Sequence, residues 1–203
     1  MKKLILIILL ATFSNLIFAG SPIISVSFYK SYSEISIVNS ALSTGKINDT
    51  IANYLLNDTN SIDSKAAVIN ALSMRTKKSN ASLLMQYIMK KYNFKSGFDL
   101  KILTTDDVFC LGYLTITDNT EQTEKAIKIL NIAAEKDPKS FTIQIILALV
   151  EAELYANTKL CEVYKVCSEV NDNKELTRDM KQSAIENIFT YMDYYKSNCH
   201  DKK

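Results

Sequence analysis

Glycine appears 4 times and proline twice in 203 residues. A β-sandwich or barrel needs turn residues roughly every 8–12 positions, and this chain cannot supply them. Histidine occurs once, at His200, beside Cys199. A zinc site wants about four ligands with local paired spacing. No second pair accompanies this one, so 199–203 reads as a frayed, disordered tail. No Gly-x-Ser-x-Gly elbow, Gly-rich phosphate loop or His-Glu-x-x-His is present, which removes the corresponding hydrolase, nucleotide and metalloprotease signatures. The Asp106-Asp107 pair sits at an expected helix start, where carboxylates favour the dipole. No basic patch stands out, which argues against nucleic acid as a partner. The expectation is a protein that is not an enzyme and carries no cofactor and no metal.

What is present is helix-forming: Lys, Glu, Leu, Ala and Ile are abundant. The fold class is all-α. The chain opens with Met1-Lys2-Lys3 and an apolar run over 4–11, and reaches Ile17-Phe18-Ala19-Gly20. That is the layout of a signal peptide over 1–19, cut between Ala19 and Gly20, although Ile17 is larger than the usual small residue there. The other reading is an uncleaved anchor. Residues 4–19 include Ser14 and Asn15 and fall short of the ~20 apolar residues of a span. Membrane contact is therefore expected only through this segment, if it is kept. No Cys follows the apolar run, so lipid attachment is not expected. Without residues 1–19, 22 basic side chains face 22 acidic ones over 184 residues, enough for one domain with a real core. Lysine outnumbers arginine 22 to 2, a habit of an AT-rich bacterial genome. The location implied is periplasmic or secreted.

Residues 20–30 read as a short β-prone, extended leader. Apolar positions at three-to-four-residue spacing then predict helices over 31–45, 46–56, 64–75 and 81–92. Residues 94–105 are irregular. Helices follow over 106–117, 120–136, 141–155 and 160–170, with Asp137-Pro138 as the N-cap and first position of the helix leading into 141. A long last helix over 174–198 carries the stripe Leu176, Met180, Ala184, Ile188, Tyr191, Tyr195.

The most informative stretch reads Cys110-Leu111-Gly112-Tyr113, then Ala126-x3-Leu130-x2-Ala133-x4-Pro138. It resembles the tetratricopeptide repeat, whose signature pairs Leu-Gly on one helix with Ala-x3-Phe and a closing Pro on the next. Units starting near Ser31, Lys65 and Phe141 are about 34 residues long, that family's period; the unit near Thr105 needs two extra residues in its turn. Ala41-x3-Gly45 and Tyr54 support the first unit, whereas Lys91 stands where a small residue is expected. The resemblance implies a right-handed superhelix of about four antiparallel helical hairpins over 31–198, with a C-terminal capping helix. It implies a scaffold that binds a peptide or partner protein on its concave side. That side, lined in this family by the first helix of each hairpin, would hold Tyr32, Asn39, Phe109, Tyr113, Ile145, Leu149 and Glu153. Phe109 and Tyr113 are four apart, as are Ile145 and Leu149, and their convergence would make a groove for an apolar anchor. The last helix or plain core packing is the alternative cover for these residues.

Other readings stay open. A closed helical bundle holding a small apolar ligand or lipid gives similar stripes. Cys110, Cys161, Cys167 and Cys199 are either disulfide-bonded or small buried apolar residues. Cys161 and Cys167 are six apart; on one helix that is a rise of ~9 Å, too far for a bond, so bridges would tie each to Cys110 or Cys199. Tyr191, Tyr194 and Tyr195 serve either as packing or as interface anchors.

Overall fold

The computed structural model describes residues 20–75, 79–95 and 99–199. The expected signal segment over 1–19, residues 76–78 and 96–98, and the tail from His200 lie outside these. Among the described residues there are ten α-helices and no strand. They are α1 (Pro22–Ser25), α2 (Ser36–Thr44), α3 (Asp49–Leu55), α4 (Ile62–Ser73) and α5 (Asn80–Lys91). There follow α6 (Thr105–Asp118), α7 (Thr123–Lys136), α8 (Phe141–Ala152), α9 (Leu160–Asp172) and α10 (Gln182–Lys196). A 3-10 turn at Phe28–Tyr32 separates α1 from α2. The expected helices are all found, with their ends moved by a few residues except at the last one.

Composition sorts the helices into two kinds. In α4, α6 and α8 nearly every residue is buried, whereas α5, α7 and α9 bury one face only. A helix that is apolar all round must be covered on all sides. Accordingly α4, α6 and α8 pack on one another, α7 packs on α6 and α8, α9 on α8, and α5 on α6. Gly112 marks the closest approach: a Cβ there would lie 2.8 Å from Leu130 Cγ and 3.1 Å from Ile129 Cγ2. Gly45 ends α2 in the left-handed conformation (φ 61°), with its N–H on the Ala41 carbonyl.

Three local expectations are corrected. The leader is not extended: α1 packs on α8, the 3-10 turn packs on α4 and α10, and Ile23, Val26, Phe28 and Tyr32 are all buried. Ser140, not Asp137, caps α8, accepting from Ile143 N at 3.2 Å. The last helix begins at Gln182 because the residues before it are used elsewhere. Thr177 pairs by main chain with Lys139 (2.8 Å) and Phe141 (3.1 Å). Asp179 accepts from Ser140 Oγ, Thr142 N and Thr142 Oγ1 at 2.6–2.9 Å, a carboxylate at the positive end of α8. Leu176 and Met180 therefore belong to this bridge and not to the helical stripe.

The two ends of the described chain meet. Helix α10 packs on α9 and on the Phe28–Tyr32 turn. The hydroxyls of Tyr191 and Tyr195 each donate to the Gly20 carbonyl at 2.8 Å.

Candidate functional site

The inner helices present a face, and the chain's own N-terminal segment lies on it. Asn70, buried in the middle of α4, binds that segment by its main chain. Its Nδ2 donates to the Val26 carbonyl at 2.9 Å, and its Oδ1 accepts from Tyr29 N at 3.0 Å. The same Nδ2 lies 3.4 Å from Tyr113 Oη on α6. At the end of α8, Glu153 accepts from Ser21 Oγ and, at 2.8 Å, from Ile23 N. Burial pushes the Glu153 carboxyl above its ordinary range, while those two donors pull it back.

Further along, Tyr32 Oη donates to Asp63 Oδ2 at 2.7 Å and accepts from Lys181 N at 3.1 Å. The Lys181 ammonium stands 4.7 Å from the centre of the Tyr32 ring and pairs with Glu34. The segment is thus held by polar side chains aimed at its backbone and by pockets for Ile23, Val26, Phe28 and Tyr32.

The residues expected to line a groove divide accordingly. Tyr32 belongs to the covering segment itself. Phe109, Tyr113, Ile145 and Leu149 are fully buried. The Phe109 and Tyr113 rings lie 6.1 Å apart and tilted by 53°. Glu153 is in the site, bound to the segment. Asn39 is exposed and donates to the Ser33 carbonyl at 2.7 Å. Asn70 was missed; the one signal for it was an amide inside the apolar stripe of Ala67, Val68, Ala71 and Leu72.

A second cluster is built of ion pairs between hairpins. Asp106 pairs with the buried Lys65, and buried Asp107 accepts from Lys91 Nζ at 2.9 Å and Tyr92 Oη at 2.7 Å. For Lys91, burial favours the neutral form, but the Asp107 hydrogen bond and charge outweigh it and the ammonium is held up. Lys91, out of place for a close-packed repeat, thus has a structural partner on the next hairpin. Among the described residues no group of His, Cys, Asp and Glu is placed to hold a metal ion.

Cys161 and Cys199 are disulfide-bonded, with Cα atoms 4.7 Å apart. Cys110 and Cys167 are free and buried. Burial pushes the Cys167 thiol up to about 12 and raises Cys110 as well, so neither is a ready nucleophile. Of the tyrosine cluster, Tyr195 is buried and Tyr191 half-buried over Gly20, while Tyr194 is 70% exposed. Tyr194 borders a cleft of about 240 Å³ between α10 and the leader. No protein-family model, curated protein or solved structure matches this chain.

Proposed function

We propose that this chain is an exported, non-catalytic helical scaffold of the periplasm or cell envelope that binds a peptide or partner protein. One observation carries the reading: the inner helices already hold a peptide segment, residues 21–32 of the same chain. Asn70 and Glu153 reach its main-chain groups, and apolar pockets take its side chains. Main-chain hydrogen bonds combined with side-chain pockets are the general means of peptide recognition. The hairpin order supports a tetratricopeptide-like array, in which Phe109, Tyr113, Ile145 and Leu149 form the floor of the groove. Export is supported by the basic-then-apolar leader and by the Cys161–Cys199 bond, of a kind that oxidising compartments maintain.

The test is capture from the envelope of the source cell with the chain immobilised, repeated with excess synthetic peptide of residues 20–33. The reading expects an envelope protein to be retained and the peptide to compete it off. Retention that the peptide leaves untouched moves the partner site to another face.

The meeting of Gly20 with α10 favours one part of a second reading, a closed bundle holding a small apolar ligand. Lipid found by mass spectrometry in the purified protein would promote that reading.

A further inference from the structure

The C-terminal end of α8 is an anionic place without a cation. Its last carbonyls carry the negative end of the helix dipole, and its last turn holds no basic residue. Glu151 and Glu153 stand there half-buried, both pushed above the ordinary carboxylate range by burial. Among the described residues no lysine or arginine forms an ion pair with either. What lies against Glu153 is the start of the N-terminal segment, through Ser21 Oγ and Ile23 N. One residue earlier, Gly20 is fixed by two tyrosine hydroxyls on its carbonyl, each at 2.8 Å.

In the precursor the Gly20 nitrogen is a neutral amide. Hydrolysis of the Ala19–Gly20 bond by a signal-cleaving protease adds water's hydroxyl to the Ala19 carbonyl and a proton to the Gly20 nitrogen. The released segment leaves with a carboxylate, and the new α-amine takes a further proton from solvent, since its ordinary pKa is about 7.7–8.0. That creates a cation one residue, about 3.8 Å of Cα path, from the residue whose hydroxyl already touches the carboxylate.

We propose that Glu153 is the receptor for the α-ammonium of Gly20, so that removal of the signal segment locks residues 20–32 onto the inner helices. The proposal rests on the exported reading above and adds a step to it: processing adds an ion pair to a cover that the inner helices already hold.

A chain cut from a fusion to begin at Gly20 tests the receptor without relying on processing in the cell. It is compared with the same chain acetylated at its α-amine, in the wild type and in Glu153→Gln, which keeps an acceptor for Ser21 and Ile23. Acetylation should lower the thermal midpoint of the wild type by about 2–4 °C and leave that of Glu153→Gln unchanged. Equal midpoints for the free and acetylated wild type, or the same drop in both backgrounds, would overturn the receptor. Mass spectrometry of the protein from its own cell tests the processing step separately; a start other than Gly20 overturns that step.

Discussion

Asn70 sits in a helix whose other inward residues are apolar, and its amide joins three parts of the chain: α4, the leader and Tyr113 of α6. Removing it leaves the buried Val26 carbonyl and the half-buried Tyr29 N–H without their partner, at about 1–3 kcal/mol each. Asn70→Ala should therefore cost about 3 kcal/mol in denaturant unfolding, an unusually large loss for one polar side chain. It should also make the 26–32 segment cleavable by protease. A loss within about 0.5 kcal/mol, the range of ordinary surface changes, would mean that the leader is not held here. Gly112 shows the opposite kind of residue, important for lacking atoms: the Leu130 side chain occupies the place its Cβ would take.

Among the elements, α8 has a charge problem at its end. Burial raises the Glu151 carboxyl above its ordinary 4.5, so the fold prefers the protonated form. The stability this group allows is complete below the ordinary value and is lost as pH rises through the raised one. Glu151→Gln should therefore melt higher than the wild type at pH 7 and together with it near pH 4, as read by calorimetry at both pH values. A variant that melts lower at pH 7 would show that the carboxylate is held by a cation after all.

Helix existence was legible in the sequence because three-to-four-residue periodicity reports which face is buried, and nine stripes became nine helices. The fates of residues 20–32 and 173–181 were not legible. Ile23, Val26 and Phe28 keep no single period and cannot declare a partner, and the segment is held by Asn70, more than forty residues away. The stripe of Leu176 and Met180 fitted a helix, yet the backbone of Thr177 and the carboxylate of Asp179 satisfy the start of α8 instead. The burial of the expected groove residues was not legible for a related reason. Phe109, Tyr113, Ile145 and Leu149 do line inner helices, but side chains that apolar are covered, and all four are buried within the chain itself.

At the scale of the molecule the two ends close on each other, and one covalent bond secures the closure. Cys161–Cys199 spans 38 residues and encloses α10, the helix that holds both Gly20 and the Phe28–Tyr32 turn. Chain entropy alone makes such a loop worth about 4 kcal/mol. The double variant Cys161→Ser/Cys199→Ser should lose about 10 °C or more in thermal midpoint; an unchanged midpoint would mean that closure rests on packing alone.

The central claim is that residues 20–32 are a structural part of the inner face. Amide hydrogen exchange of a chain beginning at Gly20, followed by mass spectrometry, tests this most directly. The account predicts that 22–32, including the Ile23 and Tyr29 N–H groups held by Glu153 and Asn70, exchanges as slowly as α4, α6 and α8. Exchange of that segment within seconds, while those helices stay protected, would contradict it.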